Sequence, residues 1–111
     1  MTINEAIASI DAVKPNVYPS GIKVAWLSEL DGRVCTDVMM CAPPPRYSDT
    51  EDGDTGLIIG APFESVYTAY LDAMIDYRNG EYEKYANSLA VFNEKWDSYA
   101  KWYERSGKYA G

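Results

Sequence analysis

The sequence predicts an all-α protein, a small bundle of about four helices interrupted by one long acidic loop. Three observations carry that expectation. Tyr82, Tyr85, Leu89, Phe92, Trp96, Tyr99 and Tyr103 recur at alternating steps of three and four residues. At 3.6 residues per turn this spacing puts all seven on one stripe of a helix. No Gly or Pro interrupts the run from Glu81 to Ser106, and two earlier stretches repeat the same spacing.

The first element opens on Thr2-Ile3-Asn4-Glu5, a capping box with Thr2 as N-cap and Glu5 reaching back to its amide. Ile3, Ala6, Ile7 and Ile10 then share one face, and the helix closes before Pro15. Lys14 to Ser20 holds two prolines and an Asn and reads as a connector. Ser20 or Gly21 starts a second helix with Ile22, Trp26, Leu27, Leu30, Val34 and Val38 on its apolar side. Gly32 lies inside that pattern at a cost of up to about 1 kcal/mol; it either loosens the helix or lets a neighbouring element come close.

Pro43-Pro44-Pro45 ends any helix. The tract 42–62 reads as a loop or arm, rich in acids between Tyr47 and Gly56, with a short β-prone segment at 57–59. A loop of that length inside a small domain suggests a functional or partner-ordered role. Pro62 suits the first turn of a third helix, whose face is Phe63, Val66, Tyr67, Tyr70, Leu71, Met74 and Ile75. Arg78-Asn79-Gly80 turns the chain, Asn and Gly being tolerant of positive φ. The third and fourth helices (63–78 and 81–106) are therefore expected to form an antiparallel hairpin, and residues 1–111 a single helical domain.

Composition narrows the function. The chain is 47% hydrophobic and 14% aromatic, with ten tyrosines, which excludes a disordered polar chain. Its net charge of −7 opposes direct binding to a nucleic-acid backbone. That charge allows a basic partner or mimicry of a polyanion, and serves solubility equally well. No stretch approaches the roughly 20 apolar residues that span a bilayer, and the N-terminus lacks a secretory signal pattern, so no membrane role and a cytoplasmic setting are expected. Cys35 and Cys41 stand six apart with no second pair and no histidine in the chain. On a continuous helix these thiols would diverge by about 240°. They are expected to be reduced, small apolar groups, without disulfide or zinc.

Catalytic motifs are absent. Without histidine there is no Ser-His-Asp or Cys-His arrangement. The acidic loop does not fit a calcium helix-loop-helix register: counted from Asp49, Gly53 falls at position 5, where an oxygen ligand belongs, and Asp54 at position 6, where Gly belongs. Asp72 with Asp76, and Glu81 with Glu83, read as solvated helix-surface charges. No enzyme activity, metal or cofactor is expected.

One inference concerns contacts. On a helical projection of the fourth helix, Val91 and Trp102 fall within about 20° of each other, on nearly the opposite side from the aromatic seam. They form either a second packing surface reaching beyond the domain, or a cover over the first or second helix. The candidate subunit or partner contacts are thus Val91 and Trp102 on the helix, with Tyr47, Asp49, Glu51, Asp52, Asp54, Leu57, Ile58 and Ile59 on the loop. The seam itself is expected to be intramolecular core, being short and bulky for a two-stranded coiled coil.

Several stretches carry a resemblance. Ile10-Asp11-Ala12-Val13-Lys14-Pro15-Asn16, Lys23-Val24-Ala25-Trp26-Leu27-Ser28-Glu29-Leu30-Asp31-Gly32, Tyr70 to Tyr82, Tyr85 to Asn93, and the late Trp102-Tyr103 together resemble the head–tail connector, or adaptor, proteins of tailed bacteriophages. The resemblance spans most of the chain outside 41–62. It implies a helical structural protein of the virion neck, assembled in the host cytoplasm. Its copies would form a ring, commonly twelve-fold, beneath the portal protein. The ring would extend the DNA channel, with DNA passing non-specifically, and would dock the next neck or tail protein. A heterologous ring contact needs two different surfaces per subunit. The alternatives are a small acidic inhibitor or DNA mimic acting on a host enzyme, against which the interleaved lysines count, and another tail-completion protein.

Overall fold

The computed structural model describes residues 1–48 and 52–110, with side chains through Ser106. It is all-α: α1 spans Ile3–Val13, α2 Ser20–Arg33, α3 Ser65–Arg78 and α4 Tyr82–Ala110. No β-sheet occurs among the described residues; a single antiparallel bridge joins Thr2 to Gly56.

The capping box forms as expected. Thr2 N–H donates to Glu5 Oε1 at 2.8 Å, and Glu5 N–H donates to Thr2 Oγ1 at 3.1 Å. Ile3, Ala6, Ile7 and Ile10 are the buried face of α1. In the connector the Asn16 amide caps the end of α1, donating to Asp11 Oδ1 and to Lys14 O, both at 2.9 Å. Tyr18 then carries its hydroxyl to Asn79 Oδ1 at 2.6 Å, tying this connector to the far turn of the bundle.

Along α2 the expected stripe turns inward: Trp26, Leu27, Leu30 and Val34 are buried, Ile22 and Val38 half-buried. Asp31 and Lys23 are buried among them. Beyond Arg33 the helix widens into a π-helical turn, Val34–Val38. Met39 N–H reaches Val34 O at 2.9 Å and Cys41 N–H reaches Cys35 O at 2.8 Å, with Met40 left-handed at φ 54°. This wide cap folds the chain back on itself and overturns the expectation for the cysteines. Cys41 has left the helix, so the divergence of a continuous helix does not apply. The Cα atoms of Cys35 and Cys41 stand 5.1 Å apart and the two are joined as a disulfide. Gly32 packs beside Pro44 with ordinary room for a methyl group, a Cβ there lying 3.9 Å from Pro44 Cβ.

Helix α3 starts at Ser65, three residues later than Pro62 would allow; residues 61–64 form a turn before it, and Phe63 lies in that turn. The helical hairpin is present. Gly80 sits at φ +74° between α3 and α4, a conformation that would cost another residue about 1 kcal/mol or more. α3 and α4 make the largest helix–helix contact, and α1 and α2 also pack against α3.

The aromatic seam is only partly core. Phe92 and Tyr99 are buried, Tyr85, Leu89, Trp96 and Tyr103 are half-buried, and Tyr82 is 67% exposed. Trp96 also receives the Arg33 guanidinium, 4.7 Å from its ring centre. The buried centre of α4 runs through Ser88, Phe92 and Tyr99, so the helix is rotated away from the middle of the seam.

The segment Leu57-Ile58-Ile59 is not a strand. It does keep the alternation of an extended chain, with Leu57 and Ile59 buried in the core and Ile58 half-buried. Its amides find other acceptors: Leu57 N–H bonds Met1 O at 2.9 Å, Ile58 N–H bonds Asp31 Oδ2 at 3.1 Å, and Ile59 N–H bonds the Tyr67 hydroxyl at 2.7 Å. A β-prone sequence is thus satisfied by a chain end and two side chains instead of a partner strand.

Candidate functional site

Two polar clusters fix the scaffold on which any surface must be built. The first centres on Asp31, fully buried on α2. Its carboxylate accepts from Tyr47 Oη at 2.6 Å, from Tyr67 Oη at 2.6 Å and from Ile58 N–H. Burial raises the Asp31 pKa above its ordinary value, although the two phenols and the amide pull against that rise. Both phenols are in turn pushed up, first by burial and then by the neighbouring carboxylate. Both carboxylate oxygens of Asp31 are thus engaged, Oδ2 by Tyr47 and Ile58 of the loop and Oδ1 by Tyr67 of α3, and the side chain is fully buried.

The second cluster lies where α1, α3 and α4 meet. Lys14 Nζ stands 2.6 Å from Asp76 Oδ1 and close to Asp72 Oδ1, and Ser88 Oγ donates to Asp76 Oδ2 at 2.6 Å. Asp76 is 1% exposed, and its Oδ1 has no partner other than Lys14. This corrects the reading of Asp72 and Asp76 as solvated charges: Asp76 is a buried ion-pair partner, and Asp72 is a half-exposed one. Burial alone would raise the Asp76 pKa, but the hydrogen bonds from Lys14 and Ser88 outweigh it and hold it below the ordinary 3.8. Both clusters are fully engaged in holding helices together.

The candidate contact residues divide sharply. In the loop, Tyr47 is half-buried and bonded to Asp31, and Leu57 and Ile59 belong to the core. Asp52 is half-buried, accepting from Ser48 N–H at 2.6 Å, while Asp54 is exposed. The loop backbone also lies along α1, where Asn4 N–H bonds Gly53 O at 2.9 Å and Ile3 N–H bonds Thr55 O at 3.1 Å. Asp49 and Glu51 lie outside the described residues. The apolar loop candidates are therefore spent inside the chain.

Val91 and Trp102 remain at the surface, 48% and 41% exposed. They do not sit on the back of α4, as the helical projection suggests, but along its flank where it meets α3. Trp102 leans on Phe63, their ring centres 5.2 Å apart, and so covers neither α1 nor α2. Val91 borders a furrow that runs across α3. Its floor is Ser65, Thr68, Ala69 and Asp72; α1 contributes Ile10, Val13 and Lys14 as one wall, and α4 contributes Val91 and Lys95 as the other. This cleft holds about 400 Å³ and shares Ser65 and Lys95 with a second of about 270 Å³ that continues to Phe63 and Ser98. Val13 in the α1 wall is 78% exposed. Sequence reasoning missed Val13 and Lys95 because only the packing of α1 and α4 on α3 brings them to one furrow.

A separate groove of about 570 Å³ opens between the π-helical turn and α4, lined by Asp37, Val38, Met39, Met40, Ala100, Tyr103 and Glu104. Among the described residues there is no group of His, Cys, Asp and Glu arranged to hold a metal, and no helix is long and apolar enough to cross a membrane.

No protein-family model matches this chain, and no curated protein or solved structure matches it at a significant level.

Proposed function

We propose that the chain is a structural subunit of a tailed-phage neck, a connector whose copies assemble as a ring between the portal and the next neck or tail component. The observation that carries this reading is the flank of α4. The helix is already buried against α3 through Ser88, Phe92 and Tyr99, yet it keeps Val91 at the surface in the wall of a furrow and Trp102 at the surface against Phe63, which lines the adjoining cleft. Exposed apolar side chains gathered along a furrow favour a protein contact over solvent.

Two further features support it. The stretches that resemble connector proteins, Ile10 to Asn16, Tyr70 to Tyr82 and Tyr85 to Asn93, supply the α1 wall of the furrow, Asp72 of its floor and Val91 of its α4 wall. The net charge of −7 per subunit suits a channel through which DNA slides without sticking. The polar clusters at Asp31 and Asp76 stiffen the subunit, as a part held in a fixed assembly requires.

Location is the test. Quantitative mass spectrometry of purified particles should find the chain in a fixed multiple per virion, and images of the neck should place it next to the portal. A chain absent from particles, recovered instead with a host enzyme, would overturn the connector reading in favour of an acidic inhibitor.

A further inference from the structure

We infer that the furrow across α3 receives the α3–α4 turn of a second copy of this chain, so that subunits join head to tail. The inference rests on the reading of the chain as a self-assembling subunit and specifies the two surfaces that meet.

The furrow is concave and shallow. Ser65, Thr68, Ala69 and Asp72 stand at helical steps of three and four, so α3 presents a strip of short side chains between two taller walls. Such a strip admits bulky groups from outside. Among the described residues the large apolar side chains left most exposed include a second cluster besides Val13, Val91 and Trp102. This is Tyr77 and Tyr82, 51% and 67% exposed, at the turn joining α3 to α4. Their rings stand 6.4 Å apart, edge to face, on a convex tip. A convex aromatic tip and a concave small-floored furrow on one chain are complementary shapes, and tyrosine is the residue type that interfaces favour.

One charge pair fits the same arrangement. Lys95 in the α4 wall has no carboxylate partner among the described residues; it donates only to Ser65 Oγ at 3.3 Å. Glu83 on the tip is exposed and has no basic partner among the described residues, whereas its neighbour Glu81 pairs with Lys84 at 3.4 Å. The tip also carries Arg78, exposed and without an ion pair among the described residues, so the complementarity is confined to one contact, Lys95 meeting Glu83 across the interface. The two patches differ, so the contact is heterologous. It propagates from subunit to subunit and closes into a ring when the rotation allows.

The test is a charge exchange. Lys95 and Glu83 lie outside the core, so Lys95→Glu and Glu83→Lys should fold and melt like the wild type. By light scattering across a concentration series, the wild type should associate, and each variant alone should associate roughly tenfold or more weakly. An equal mixture of the two variants should recover association, because each furrow then meets a tip of opposite charge. The double variant should recover it as well. Single variants that assemble like the wild type would overturn this contact and leave the ring standing on other surfaces. A wild type monomeric at every concentration would overturn the contact outright, with the location of the chain in particles still deciding the connector reading.

Discussion

Asp31 of α2 and Tyr67 of α3 are joined by a 2.6 Å hydrogen bond inside the core, across 36 positions of sequence. The same Tyr67 hydroxyl accepts from Ile59 N–H. One phenol thus links two helices and the buried end of the loop. Tyr67→Phe keeps the ring but leaves one carboxylate oxygen and one amide without partners in a dry site. Each orphaned group costs about 1–3 kcal/mol, so a total near 3 kcal/mol is expected in urea unfolding. Tyr47→Phe, at a half-buried position with Ile58 N–H still bonded to the same oxygen, should cost about 1 kcal/mol. Equal losses from the two substitutions would mean that Tyr67 does not hold the loop.

The Lys14–Asp76 pair sets the pH limits of stability. Asp76 has its pKa depressed in the folded state, so its contribution is fully present above the ordinary 3.8 and is lost as pH falls through the depressed value. Asp11, paired with buried Lys23, behaves alike. Lys14 loses some affinity for its proton by burial, but Asp72 and Asp76 raise its pKa overall above 10.5, so its contribution persists up to that pH and is lost beyond it. Asp31 has the opposite sign: its raised pKa makes acidification favourable at that one site. Asp76→Asn should therefore cost about 2 kcal/mol at neutral pH, less than a fully broken buried pair because Asp72 stays with Lys14. In thermal melts the gap to the wild type should narrow as pH falls below 3.8; a gap constant with pH would show that the ion pair contributes nothing.

The cysteines give a direct chemical readout. With Cys35 and Cys41 bridged, the unfolded, unreduced protein should take up no alkylating reagent, and reduction should expose two thiols. The loop closed is short, so Cys41→Ser should cost about 2 kcal/mol. Full labelling without reductant would restore the expectation of two thiols.

How far the fold was legible follows from what each element asks of its neighbours. Helix α1, the apolar stripe of α2 and the turn at Gly80 are local problems of capping, periodicity and positive φ, and the residues state their answers. The long-range choices were not local. Asp31 falls on the same stripe as Leu27, Leu30 and Val34, the one sequence sign that a carboxylate is going inside, but its partners Tyr47 and Tyr67 lie 16 and 36 positions away. Cys41 reaches Cys35 only because Met40 leaves the helical region. The surface residues fared in between. The sequence picked out Val91 and Trp102 as a pair, but the rotation of α4 depends on Ser88 turning inward to Asp76, which no pattern on α4 announces.

That rotation makes the last prediction. Trp102 is 41% exposed and touches the chain mainly through the Phe63, Tyr99 and Tyr103 rings. Phe92, one turn from Ser88, is 2% exposed and packs against Tyr70 and Trp96. Phe92→Ala opens a cavity in a filled core and should cost about 3–5 kcal/mol. Trp102→Ala removes a ring whose outer part is already in water and should cost about 1 kcal/mol of monomer stability. The contrast separates construction from contact. If Trp102 lies beside a subunit interface, its removal should weaken association measured by sedimentation while far-UV circular dichroism and the melting curve stay near those of the wild type. A loss of monomer stability as large as that of Phe92→Ala would assign Trp102 to the core and withdraw it from the interaction surface.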